Sequence, residues 1–236
     1  MENFIQNVVY YTETHKTLHG KVGFDAESVA KDLQMSFGYD YKESLETVNK
    51  YINNEIQYGV FIGRCQPFHL GHQAVINEIM LSGRIPIIVL GSIDKHDEKN
   101  PLSYEQRKEI INTVFCSKDV IITGLEDQDN WDDWMNNIQD VLFQKDRTKE
   151  NVTLFYHNKE VDRQDFEYKG EKYKQGFYTD MFDIEGIQRR EIEFVDRKDF
   201  KIDSNGRDIR HNIEGFKHFL DARVYWKLRN KHNWKV

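Results

Sequence analysis

The sequence predicts a doubly wound α/β domain on a parallel sheet, from three observations. Short apolar runs that read as strands recur down the chain, segments of helical spacing separate them, and a glycine-bearing turn joins the first strand to the helix after it. Tyr58-Gly-Val-Phe-Ile-Gly63 is that first strand, Leu70 to Leu81 the helix, and Ile85-Pro-Ile-Ile-Val-Leu90 a buried strand ended by Gly91. Ser103 and Gln106 form a capping box at the head of a helix over Tyr104 to Phe115. Val120-Ile-Ile-Thr123 is the third strand, Trp131 to Phe143 the third helix, Val152-Thr-Leu-Phe-Tyr156 the fourth strand and Glu191-Ile-Glu-Phe-Val195 the fifth. Strands separated by helices of this length need right-handed crossovers, and ligands bind beyond the carboxyl ends of such strands.

Residues 1–56 lack this alternation, which divides the chain into a small helical N-terminal appendage, 1–56, and a main domain, 57–236. Asp25 caps a helix through Met35, and Asp40 or Ser44 starts another that ends near Asn53 and Asn54. Nothing in the appendage resembles a site, so a packing or dimerisation role is its default. The aromatic stretch from Phe166 to Phe182, interleaved with Lys and Glu, is either a lid or a subunit contact, with irregular surface loop as the default.

The 236 residues carry 33 basic and 40 acidic side chains, a net charge of -7 that repels nucleic-acid phosphates. Any anionic ligand must therefore meet local basic groups, and no nucleic-acid partner is expected. Two cysteines, Cys65 and Cys116, are too few for a disulfide framework and lack metal-ligand spacing. No apolar run is long enough to span a membrane, and the first residues show no secretory leader, so a cytoplasmic location is expected.

The chemistry gathers where the first strand runs into Gly63-Arg64-Cys65-Gln66-Pro67-Phe68-His69-Leu70-Gly71-His72. Gly63 allows a tight turn, Pro67 stiffens the entry, and Gly71 permits close approach to a helix N-terminus, where free amides and the helix dipole attract anions. His69 and His72, three apart, share a helical face and can donate to one phosphate; Arg64 adds a forked positive charge. With nine His and 14 Gly in the chain, a His-x-Gly-His string arises by chance in about one such sequence in fifty. Its position directly after the first strand removes most of that chance. Two histidines without a third ligand nearby argue against zinc, so no protein-held metal is expected.

The string GRCQPFHLGH resembles the signature of the nucleotidylyltransferase superfamily, whose fold is Rossmann-like. In its GRxQPFHxGH form it is similar to the nicotinamide mononucleotide (NMN) adenylyltransferases, especially the archaeal type and the transferase half of the bifunctional transferase/Nudix enzymes. Gly91-Ser92 with Asn100-Pro101-Leu102-Ser103-Tyr104-Glu105-Gln106-Arg107 resembles the family's GS…NPFTxxER segment. Glu126-Asp127…Trp131-Asp132-Asp133-Trp134 resembles its Asp and Trp segment, whose ring stacks on nicotinamide. Tyr156-His157-Asn158-Lys159-Glu160-Val161-Asp162 is similar to GHxKDxSS, with Tyr156 for Gly and Glu160 for Asp. Asn205-Gly206-Arg207-Asp208-Ile209-Arg210 aligns with SxTxIR, with Asn205 for Ser and Arg207 for Thr. The likeness runs from residue 58 to about 215, and with so little chain after it no Nudix domain is expected.

The resemblance implies that the 5′-phosphate of NMN attacks the α-phosphorus of ATP, giving NAD and pyrophosphate, with Mg²⁺ on the leaving pyrophosphate. It implies His69, His72 and Arg210 as catalytic residues, and Gly63, Arg64, Gln66, Phe68, Gly71, Lys159, Asn205, Arg207 and Ile209 as ATP-binding. Arg107, Asp127, Trp131 and Trp134 would bind NMN. The acceptor is either NMN or nicotinate mononucleotide, and relatives often assemble as homo-oligomers. Two alternatives stay open: a transferase with another phosphate acceptor, and a regulator that senses ATP or NAD without turnover. A class I aminoacyl-tRNA synthetase shares a similar histidine motif, but no Lys-Met-Ser-Lys-Ser sequence occurs here.

Overall fold

A computed structural model describes residues 4–53, 55–115, 120–144, 147–158, 162–192 and 206–230. Three helices come first: α1 (Phe4–Gly23), α2 (Ala26–Phe37) and α3 (Tyr41–Ile52). The alternation follows as β1 (Tyr58–Gly63), α4 (Leu70–Leu81), β2 (Ile85–Leu90), α5 (Tyr104–Val114), β3 (Ile121–Gly124), α6 (Trp131–Leu142) and β4 (Val152–Tyr156). A hairpin of β5 (Gln164–Tyr168) and β6 (Glu171–Gly176), a short α7 (Asp180–Ile184) and β7 (Gln188–Glu191) come next. The described chain ends with α8 (Gly206–His211), a 3₁₀ turn over Lys217–Phe219 and α9 (Ala222–Asn230).

The five-stranded sheet has the order β3-β2-β1-β4-β7, and its pairings are all parallel. This is the Rossmann order, and it reverses between β1 and β4, opening a crevice at their carboxyl ends. Side chains alternate across the sheet. Val60, Ile87, Val89 and Leu154 face a layer holding Met135, Ile138 and Leu142 of α6 with Val8, Leu33 and Val48 of α1–α3. Phe61, Ile88, Leu90 and Phe155 face Val75, Ile76 and Ile79 of α4, Ile110 of α5, Ile209 of α8 and Val224 of α9. Helices on both faces make the domain doubly wound.

The approach of α4 to β1 depends on Gly59. A Cβ there would overlap Ile79 Cγ2 and sit 3.0 Å from Cγ1 of the same fully buried side chain. Neither atom is the end of a flexible chain, so helix and strand would have to separate. Gly59→Ala is expected to destabilise the protein by about 1–3 kcal/mol, read as a lower midpoint of chemical denaturation at unchanged slope.

The N-terminal segment holds one helix more than the sequence predicts. The expected caps are present: Asp25 accepts from Glu27 N and Ser28 N, and Asp40 accepts from Glu43 N. The preceding α1 has no acidic residue in its first turn. Its Phe4, Ile5 and Val8 join the same hydrophobic cluster as the sheet.

Two further expectations are corrected. The stretch from Phe166 to Phe182 is ordered as a hairpin and α7, because its aromatic rings have partners: Phe166 stacks on Tyr173 at 4.9 Å and meets Trp131 edge-on at 6.2 Å. The last strand begins at Gln188, ahead of the apolar Glu191 to Val195 run. Its Thr153↔Gln188 to Tyr156↔Glu191 register lets Arg189 and Arg190 lie over the rings of Tyr156 and Phe155, at 5.3 and 5.4 Å. A largely exposed edge strand whose arginines lie over neighbouring rings carries no apolar signature. Residues 193–195 of the predicted strand, like Cys116, lie outside the described residues.

Candidate functional site

β1 ends at Gly63, and the chain turns through Arg64 and Cys65 into α4. His69 is the N-cap of α4, with extended backbone, and its Nδ1 accepts from Gly71 N at 3.1 Å. In return His69 N reaches Nδ1 of His72 at 3.4 Å. The rings stack at 3.7 Å and 21°. An Nδ1 that accepts a backbone N–H leaves the ring proton on Nε2, so both imidazoles are fixed as Nε2–H donors at a helix N-terminus. Phe61 and Phe68 flank His72 at 5.5 and 5.8 Å and hold its plane.

α8 brings in the distant part of the site. Arg210 Nη1 donates to the Gln66 carbonyl at 2.6 Å, across 144 residues of sequence. Gly206 opens α8 against the same carbonyl, where a Cβ would stand 2.9 Å from the oxygen. Arg210 is half-buried, and burial, followed by repulsion from Arg64 and Arg207, pulls its pKa below the usual arginine value. Asp97 and Glu98, on the loop after β2, oppose that effect. Arg64 and Arg207 thus lie within electrostatic range of Arg210, which is bonded to the loop that carries His69 and His72, a local basic group in a chain of net negative charge.

The loop after β2 closes the other side. Ser92, buried and at φ 53°, donates its hydroxyl to Asp127 Oδ1 at 2.8 Å, while Asp127 N donates to Asp94 Oδ1 at 3.0 Å. Asp127 itself is exposed at the sheet's carboxyl edge. Trp131 and Trp134, half-buried on α6, meet edge-on at 5.6 Å, and Trp134 also meets Tyr178 and Phe182. Both indoles pack on the sheet face opposite α4.

Several expected site residues take other places. Arg107, expected on NMN, has no exposed surface and spends its guanidinium on backbone carbonyls, so it cannot touch a ligand. Gln66, expected on ATP, turns its amide away: Nε2 donates to Leu102 O at 2.8 Å and Oε1 accepts from Leu102 N at 3.0 Å. That reciprocal pair ties the β1 loop to the β2 loop. The Phe68 and Ile209 side chains are core, leaving their backbones alone near the site. Gly63, Arg64 and Gly71 lie on or next to the histidine-bearing loop, which Arg210 meets at the Gln66 carbonyl; Arg207 is on the same helix as Arg210. Lys159 and Asn205 lie outside the described residues. Ser92, Asp94 and Gly206 are not among the site residues expected from sequence; a serine directly after a strand-ending glycine is the available signal.

A cytidylyltransferase-like family model matches residues 60–201, more than half of the chain and all of the histidine-bearing loop. The chain belongs to the cytidylyltransferase-like family. Within it, the nicotinamide/nicotinic acid mononucleotide adenylyltransferase of Acinetobacter baylyi is 30% identical over 110 residues, 45% of this chain and 58% of that protein. The nicotinamide-nucleotide adenylyltransferase of Halorubrum lacusprofundi is 31% identical over 84 residues, 34% of this chain and 48% of the relative. The chain thus spans about half the length of these curated relatives. Among solved structures, a bifunctional NMN adenylyltransferase/ADP ribose pyrophosphatase from Francisella tularensis superimposes with a TM-score of 0.47 at 20% identity, covering 76% of this chain and 54% of that one. The NadR protein in complex with NAD and AMP-PNP gives 0.45 at 19% identity, covering 68% and 43%. Among the described residues of this cytidylyltransferase-like chain, no helix is long and apolar enough to cross a membrane.

Proposed function

We propose that this chain transfers the adenylyl group of ATP to nicotinamide mononucleotide, forming NAD and pyrophosphate. The observation that carries the reading is the pair of Nε2–H donors at the head of α4, sharing one loop with Arg210. The curated relatives, named as nicotinamide-nucleotide adenylyltransferases, supply the acceptor. An oxygen of the NMN 5′-phosphate attacks the α-phosphorus; the bond from that phosphorus to the bridging oxygen breaks, and pyrophosphate leaves with the electron pair. Phosphoryl chemistry of this kind needs positioning and charge stabilisation more than covalent help. His69 and His72 donate to the α- and β-phosphates, Arg210 takes the departing pyrophosphate, and Arg64 and Arg207 orient the triphosphate. Magnesium arrives as part of the MgATP substrate.

The α6 side of the crevice, with Asp127, Trp131 and Trp134, is the side proposed for the pyridine nucleotide, because an electron-poor ring stacks well on indole. Residues 1–56 are proposed to serve packing, in a chain acting in the cytoplasm without nucleic acid, as a monomer or a homo-oligomer.

Incubating the protein with MgATP and either NMN or nicotinate mononucleotide, and following NAD-type product with pyrophosphate, tests the reading. Product with either acceptor is expected, at rates that rank the two. Binding of ATP without product from either would instead favour another acceptor or a nucleotide sensor.

A further inference from the structure

Arg107 is wholly buried, yet no carboxylate among the described residues accounts for its charge. Its partners are carbonyl oxygens: Nη1 donates to Arg64 O at 2.9 Å and Gly91 O at 2.7 Å, Nη2 to Ser92 O at 3.4 Å, and Nε to Ser103 O at 3.4 Å. These carbonyls belong to the two loops that leave β1 and β2 and to the cap of α5. The pattern repeats in both loops. The Arg64 carbonyl precedes Cys65 at φ 49°, and the Gly91 carbonyl precedes Ser92 at φ 53°. Left-handed backbone at a residue other than glycine persists only where its surroundings over-determine it, and here one guanidinium holds both turns. The Gln66–Leu102 pair ties the same loops a second time.

The charge is as informative as the hydrogen bonds. Its electrostatic neighbours are Cys65 and Tyr104, and burial pushes the Cys65 thiol up to about 12 and the Tyr104 hydroxyl above its usual value. Both are neutral near pH 7, whereas a guanidinium stays protonated. A buried cation is costly, and a well-packed apolar residue is often at least as stable in its place. The cost is explained if the field is used.

We propose that Arg107 is a positioning residue of the anion site: it clamps the two strand-end loops in their left-handed turns and sets an uncompensated positive charge beneath the nucleotide phosphates without touching them. This rests on the adenylyltransferase reading only for the identity of the anion. The experiment compares Arg107→Lys and Arg107→Gln in the full chain, measuring calorimetric affinity for inorganic pyrophosphate and for MgATP at two salt concentrations, kcat and KM, and thermal unfolding. Lys keeps the charge and loses the fork, so pyrophosphate affinity should stay within about threefold while kcat falls about tenfold or more. Gln loses both, and pyrophosphate affinity should fall on the order of tenfold, with a shallower salt dependence. A folded Arg107→Gln that binds pyrophosphate with wild-type affinity and salt slope overturns the proposal, as do losses in both variants that merely follow Tm. Should Gln not fold, Arg107→Lys decides alone: more than tenfold lost affinity, or an unchanged kcat, overturns it. Binding is measured without acceptor, so a Lys/Gln split in a chain that forms no NAD supports this inference and refutes only the reaction.

Discussion

His72→Ala should lower kcat for NAD formation by about 10²–10³-fold while the protein stays folded. The magnitude is that of removing one preorganised donor to a developing oxyanion. His72 qualifies because its proton is directed: Nδ1 is engaged by His69 N, Phe61 and Phe68 flank the ring, and the stacked His69 ring fixes its tilt. The structural cost is small, since the bond lost is long at 3.4 Å and His69 keeps its own cap bond to Gly71 N; about 1 kcal/mol bounds it. Single-turnover kinetics separate the step affected. The loss should appear in the chemical step, with MgATP affinity reduced no more than about tenfold. A variant with wild-type single-turnover rate would remove His72 from the mechanism.

The parts of the fold that were legible are those whose burial is two-sided. β1, β2 and β4 are apolar runs packed between two helix layers, and their bounds match the sequence expectation because nothing else in the chain looks like them. Asp25 and Ser103 are equally readable, since a short polar side chain before a helical run has one favourable use, whereas of the two expected starts Asp40 and Ser44 the structure uses Asp40 and buries Ser44 within the helix. The edge strand β7 and the aromatic hairpin are not, because both are largely exposed and hold few apolar side chains: β7 sets arginines over rings, and the hairpin strands bury only Phe166 and Tyr168. At the site, residue type gave capacity without direction. An arginine and a glutamine within motifs suggested ligand contacts, yet Arg107 and Gln66 turn inward to backbone. Only the pairing of two loops in space reveals that use, and no spacing in one chain encodes it.

Arg210→Ala should reduce kcat/KM for MgATP by about 10²-fold and leave the stability of the ligand-free protein nearly unchanged. The two halves follow from one arrangement. Arg210, Arg64 and Arg207 repel one another when no anion is present, which is why the neighbouring arginines lower the Arg210 pKa beyond the effect of burial. Deleting one of three like charges relieves that repulsion and offsets the lost bond to the Gln66 carbonyl. The same deletion removes a charge-assisted donor to the leaving pyrophosphate, whose charge grows as the bond to the α-phosphorus breaks. Thermal unfolding with and without MgATP reads both at once. The wild type should gain Tm with ligand in proportion to RT ln(1 + [L]/Kd), and the variant should start at the same Tm and gain little. An Arg210→Ala protein that unfolds well below the wild type without ligand would make this residue a strut of the α8 interface. Arg210→Lys then discriminates further, because a lysine that restores the ligand-induced gain but not kcat would assign the forked geometry, rather than the charge, to the transition state.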